Sequence, residues 1–241
     1  SSLAFGAEHL HLYMLLNCES VKDISRHGLT ESSAASVASF ANVLMHGYDD
    51  FETSPKVAEL AILIANRMQS KFSETQPLNT ANYNVLGWVR PFSSCIKYHE
   101  RAYKSGIVSG NLNGAAVGKW FGLQNKLFSS CITLPELEVE FRDGVAEMLK
   151  NSQQFVGGMA TIVWQLILNL IGKSGNPNTT VLSGEATDGN PELSQVKMLP
   201  ALLYGPWESI AFLFFGDFEA GAEDAMKRGD VFPTMAPGMM F

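Results

Sequence analysis

Apolar positions recur along this chain at spacings of three and four residues, and the strict alternation of a half-buried strand hardly occurs. Six stretches hold the helical period beyond strand length: ESSAASVASFANVLMHG, SPKVAELAILIANRMQSKF, SSCIKYHERAYKSG, GKWFGLQNKLFSSC, LPELEVEFRDGVAEMLKNS and residues 155–172. Capping residues stand where such helices would begin. Thr30 precedes Glu31, Thr53 or Ser54 precedes Pro55, and Thr133 precedes Leu134 and Pro135, a proline suited to a first helical turn. Gly47, Gly106, Gly172 and Gly216 are expected to stop helices or turn the chain. The pattern predicts an all-α protein.

The tripeptide Asp-Phe-Glu occurs at 50–52 and again at 217–219, each time ahead of small residues at helical spacing. Phe51 is followed by Ser54, Ala58 and Ala61, and Phe218 by Gly221 and Ala225. Similar layouts start at Phe92 (Cys95, His99, Ala102) and, more loosely, at Leu134 (Leu137, Phe141, Gly144). These anchors lie 41, 42 and then 84 residues apart, so one unit is expected near 176, where GKSGNPNTTVLSGEATDGNP reads as loop. A period of about 42 is the mark of stacked helix pairs that bury their faces on their neighbours. The prediction is a tetratricopeptide-like α-solenoid of irregular helix-turn-helix repeats, one domain over residues 1–241. Its units fall near 24–70, 78–106, 112–151, 155–190 and 192–230, with a tail at 231–241. Asp-Phe-Glu should mark the turn between the two helices of a pair. The small residues should let those helices approach, and the aromatic should fill the gap between units.

Three segments carry a resemblance to a known group: SRHGLTESSAASVASFANVLMHGYDDFETSPKVAELAILIANRM, WVRPFSSCIKYHERAYKSGIVSG and NLIGKSGNPNTTVLSGEATD. Over about residues 23–228 the chain resembles the helical-repeat region of large multidomain signalling ATPases of the STAND/AAA type. In that group kinase-like and ATPase domains precede the array and histidine-kinase domains often follow it. The most specific pieces are Arg26 to Thr30, Trp88 with Pro91, and Asn176-Pro177 to Gly184-Glu185-Ala186. The sequence has no P-loop, kinase catalytic loop or phospho-accepting histidine box, so the resemblance implies a non-catalytic interaction module. It does not imply the group's catalysis.

Composition narrows the partners. With 46% apolar and 17% charged residues the chain is ordinary for a folded protein. A net charge of -7 without a run of more than two adjacent cations argues against nucleic acid. Three widely spaced cysteines, Cys18, Cys95 and Cys131, fit reduced thiols in an intracellular, reducing compartment. The start SSLAFGAEHLHLY lacks a basic n-region and reads as the edge of a processed or excised piece. The apolar run 155–172 contains Gln165 and Asn169 and is shorter than a bilayer crossing of roughly 20 residues, so any membrane contact is expected through a partner.

Candidate chemistry is sparse. Gly172-Lys173-Ser174 matches the end of a phosphate-binding loop, but its first glycine would fall at residue 167, an isoleucine, and a helix precedes it instead of a strand. A helix C-cap is expected there. His9 and His11 lie about 200° apart on a helix and do not form an i, i+4 ligand pair. With His99 and Glu100 they are expected to be structural or solvated, so neither catalytic nor metal residues are assigned, and no cofactor.

Trp88, Trp120, Trp164 and Trp207 occur about once per unit and are expected either to fill the core or to line a groove. In the groove reading Tyr83, Trp88, Arg90, Lys119, Trp120, Asn125 and Trp207 anchor a partner protein. The acidic groups Asp49-Asp50-Glu52 and Glu136-Glu138-Glu140 are expected to be solvated faces. The leading expectation is a protein-interaction or scaffold module. The alternatives are an accessory subunit of a larger complex, membrane-associated or not, a small-ligand receptor built on helix 155–172 and the tryptophans, and a helical metalloenzyme.

Overall fold

The computed structural model describes residues 10–188 and 205–228, and among these every regular element is helical. We number the helices α1 (Leu10–His27), α2 (Ser33–Tyr48), α3 (Thr53–Met68), α4 (Lys71–Ala81), α5 (Phe92–Ser109) and α6 (Leu112–Ser129). They continue with α7 (Leu134–Lys150), α8 (Gln154–Leu170), α9 (Gly205–Phe215) and α10 (Phe218–Arg228). The expected all-α class is what the fold shows, with helices packed on their sequence neighbours. Contacts divide the chain into two compact units that part between Ser129 and Ser130.

In the first unit α2 and α3 form a hairpin, α5 and α6 form another, and α4 packs against helices of both. Its core is rich in alanine. Ala34, Ala38 and Ala41 of α2 meet Ala58, Ala61 and Ala65 of α3, with Met45, Ile62, Leu78 and Leu86 filling the larger gaps. Small side chains let helix backbones come close, and the buried Ser54 hydroxyl donates to the Ala41 carbonyl across the hairpin at 2.7 Å.

Both Asp-Phe-Glu copies occupy the turn of a helical hairpin, between α2 and α3 and between α9 and α10. The aspartate explains the tripeptide. Asp50 Oδ1 accepts the N–H groups of Glu52 (3.2 Å) and Thr53 (2.8 Å), and Asp217 Oδ1 accepts that of Ala220 (3.4 Å). Each caps the first-turn donors of the helix that follows, and the glutamate adds negative charge at the same end. The Thr53 hydrogen bonds hold the Asp50 carboxyl below its ordinary range.

Two expectations need correction. The phenylalanines of the tripeptide do not fill a gap between units, because Phe51 and Phe218 are 53% and 66% exposed. Phe51 lies before the start of α3 and Phe218 opens α10, so neither sits on a buried helix face like the one that takes Ser54, Ala58 and Ala61. Gly47 and Gly106 lie inside α2 and α5 and do not end them. A β-carbon at Gly47 would fall 2.6 Å from the Met14 terminal methyl, and one at Gly106 would fall 2.8 Å from Ala115. These two glycines are there for their size.

In the second unit α7 opens on a reciprocal cap: Glu136 N–H donates to Thr133 Oγ1 and Thr133 N–H to Glu136 Oε2, with Pro135 in the first turn. Leu137, Phe141, Val145 and Met148 are buried on α7, and α8, which packs against it, is buried over most of its length. Helix α8 stops where Gly172 takes φ +81° and the Lys173 N–H reaches back to the Leu168 carbonyl at 2.7 Å. Gly172-Lys173-Ser174 is thus a helix end, as expected. The stretch expected to be loop-like, 172–191, is without helix over its described residues, and 171–188 is fastened to α8 by two buried amides. Asn169 Nδ2 donates to the carbonyls of Thr179 and Val181, Gln165 Nε2 donates to Asn169 Oδ1, and Gln165 Oε1 accepts the Ala186 N–H. Among the described residues no helix is long and apolar enough to cross a membrane.

Candidate functional site

Helix α4 carries Pro77 in its interior and continues into a π-helical turn, Asn82–Leu86, and a last helical turn, Gly87–Val89. A π turn admits an extra residue and redirects the side chains beyond it. The His46 Nε2–H donates to the Asn84 carbonyl of this turn at 2.8 Å, and the same ring stands edge-on to Trp88 with centroids 5.9 Å apart. One histidine thus holds the turn and backs the tryptophan. Beyond it Arg90 is extended and forms an ion pair with Glu59 of α3, and Pro91 leads into α5.

These constraints place Trp88, Val89 and Phe92 on the surface, each more than two-fifths exposed, with Phe128 of α6 beside Phe92 at 5.5 Å between ring centroids. Four large apolar side chains on one edge, two of them flanking Arg90 and Pro91, are uncommon on a solvated surface. The Arg90 charge is met by Glu59, so the character of the edge is apolar.

Behind the edge Trp120, Phe121 and His99 are buried and Tyr83 is half-buried. Tyr83 lies flat on Phe121 (3.5 Å, 6°), Trp120 tilts against the same ring at 4.8 Å, and His99 meets it edge-on at 5.6 Å. Burial pushes the Tyr83 hydroxyl well above its ordinary pKa. His99 has no exposed surface; Asn79 spends its N–H on the Gly114 carbonyl, so its Oδ1 accepts the His99 Nδ1–H at 3.3 Å. Nε2 is then an acceptor with no partner among the described residues, and desolvation drives the pKa from an ordinary 6.5 to about 3.

A depressed histidine pKa has a definite sign. Between pH 6.5 and 3 the unfolded chain takes up a proton that the folded one refuses, so folding weakens as pH falls through that window, by up to about tenfold in the unfolding constant per pH unit. His99→Gln keeps a donor for Asn79 and does not titrate. It should flatten the acid-side fall in urea midpoint relative to the parent chain, and an unchanged slope would refute the assignment.

The seven groove residues expected from sequence separate. Trp88 and Arg90 sit together on the exposed edge, and Tyr83 and Trp120 sit together behind it. Lys119 is half-buried with its ammonium over the Tyr103 ring at 4.9 Å, Asn125 is buried in α6, and Trp207 is buried in α9 of the second unit. Trp164 donates to Glu138 Oε1 at 3.1 Å. Phe92 and Phe128 complete the edge; Phe92, expected as a repeat anchor filling the gap between units, is instead 41% exposed, and Phe128 is not singled out by the sequence.

His11 is exposed on α1, His9 lies outside the described residues, and among the described residues no group of three or more His, Cys, Asp or Glu is placed to hold a metal ion. Cys95 is buried and its thiol pKa is raised by that burial. Compared with known families, characterised proteins and solved structures, the chain gives no match.

Proposed function

We propose that the chain is a non-catalytic docking module: a tetratricopeptide-like helical array that holds a protein partner, either as the docking or sensing arm of a signalling ATPase or kinase or as a stand-alone derivative of one. The observation that carries this reading is the exposed edge of Trp88, Val89, Phe92 and Phe128. The edge is held from behind by His46 and from the side by the Arg90–Glu59 pair. Preorganised aromatics of this kind bind at little cost in ordering. Its partner is an apolar helix face of another protein, since the one cation on the edge is already matched.

Two features support a non-reacting role. His99 is sealed and neutral, and the Cys95 thiol is buried with its pKa raised, so neither is set up as a base or a nucleophile. The resemblance of residues 23–228 to the repeat arrays of signalling ATPases supports the same assignment.

The test places a photo-crosslinking residue at Val89 and, as a control, at Lys56 on the outer face of α3. Expected is a discrete heavier adduct from native extract at position 89 and none at 56, abolished by Phe92→Asp. Recovery of uncrosslinked chain alone, or an adduct indifferent to Phe92→Asp, would overturn the proposal.

A further inference from the structure

The chain carries a net charge of -7, yet one cleft is lined by four cations. Lys71 begins α4, and Lys97, Arg101 and Lys104 lie on α5; Glu100, Ser105 and Val108 complete the walls, which enclose about 310 Å³. Positions 97, 101 and 104 follow the i, i+4, i+7 stripe of one helix face, where like charges repel by a few tenths of a kcal/mol per pair. A stripe of this kind weakens the empty protein, so its charge needs a counterpart.

The fold supplies part of one. Glu74 is buried to 2% exposure, and its carboxylate accepts Arg101 Nε at 3.0 Å, Arg101 Nη2, and Lys71 Nζ at 2.9 Å. Burial pushes its pKa up, but the hydrogen bonds from Arg101, Lys71 and Ser105 outweigh that and hold the carboxyl below its ordinary range. Arg101 is fixed further by Nη1 donating to Asn66 Oδ1 at 2.6 Å.

What remains is an excess of positive charge. Glu100, the other carboxylate on the wall, also meets Lys126 at 3.6 Å. The Lys97 ammonium rests over the Tyr98 ring at 4.9 Å, and neither it nor Lys104 meets a carboxylate among the described residues. We propose that this cleft binds a small, multiply charged oxyanion such as a phosphate ester or diphosphate, held by Lys97, Lys104 and the free donors of Lys71. Arg101 is spent on Glu74, so the ligand is gripped by ammonium groups. These act as point charges and select by charge more than by shape. The volume is at the lower end of small-molecule sites, and the exposed Val108 offers an apolar shelf for an attached organic group. The site is independent of the docking edge.

The experiment is calorimetric titration of the full chain at fixed ionic strength, with pyrophosphate, inorganic phosphate, acetate and a hexaglutamate peptide as probes. Pyrophosphate should bind saturably and at least about tenfold more tightly than acetate, with phosphate between them. Lys97→Gln combined with Lys104→Gln, both at the surface, should weaken pyrophosphate binding by about tenfold or more, while Lys22→Gln on α1 leaves it unchanged. Absence of saturable binding, equal binding of all anions, or indifference to the double substitution overturns the site. Tighter binding of hexaglutamate than of pyrophosphate also overturns it, since the cleft would then belong to an acidic protein segment.

Discussion

Gly106→Ala will destabilise the first unit although alanine is the better helix former, and Gly106→Val will do so by about 3 kcal/mol or more. Gly106 stands inside α5 where α6 crosses, and a β-carbon there would lie 2.8 Å from the Ala115 nitrogen and 2.9 Å from its α-carbon. Those are backbone atoms, which have no rotamer to escape into. The helix-propensity gain of Gly→Ala is at most about 1 kcal/mol, whereas overpacking a close helix contact costs roughly 1–3 kcal/mol. The clash wins. A second contact blocks relief, because Gly118 of α6 packs against His99 and Tyr103 with room for a β-carbon only at 3.0 Å. Gly122 of the same helix is the control: its β-carbon would meet His99 Cβ at an ordinary 3.6 Å, so Gly122→Ala should be neutral or stabilising. Urea midpoints of the three variants decide the matter, and a Gly106→Ala chain as stable as its parent would show that α5 and α6 can separate freely.

What the sequence revealed and what it hid follow from the range of the interactions involved. The helical class, the Thr133 cap and the hairpin turns at both Asp-Phe-Glu copies depend on residues within four positions of each other, and these were readable. The part of the chain from Lys71 to Val89 was not. The sequence predicts no helical stretch between residues 73 and 92, and the π turn there is held by His46, 38 residues away. Asn79 bonds the Gly114 carbonyl across 35 residues. Burial at the expected groove followed the same logic: Tyr83 and Trp120 do meet, but only packing against Phe121 decides that Trp120 is buried and Tyr83 half-buried. The basic cleft is hidden in the sequence because Lys97, Arg101 and Lys104 are not side by side along the chain and become adjacent only on a helix. Lys71 and Glu74 reach them through the fold.

Asn169→Leu will release the segment 171–188 from α8 at a cost of about 3 kcal/mol, with the damage confined to the second unit. Leucine has nearly the right volume, so little of the loss is packing. The chemistry is what goes: the carbonyls of Thr179 and Val181 lose their donor, and Gln165 Nε2 loses its acceptor. Asn169 is 1% exposed and Gln165 has no exposed surface, so the Gln165 Nε2 donor is left without its acceptor where water does not reach, while Oε1 keeps the Ala186 N–H. Asn169→Asp sharpens the test. A carboxylate has the shape of the amide but no donor, and it would face two carbonyl oxygens with a buried charge, so this near-isosteric change should destabilise more than leucine does. Limited proteolysis and hydrogen exchange across 171–188, together with urea midpoints, read the outcome. If both variants keep the loop protected, the two amides of α8 are not what fastens it, and the unit's order there must come from apolar contacts such as Leu182 and Ala186.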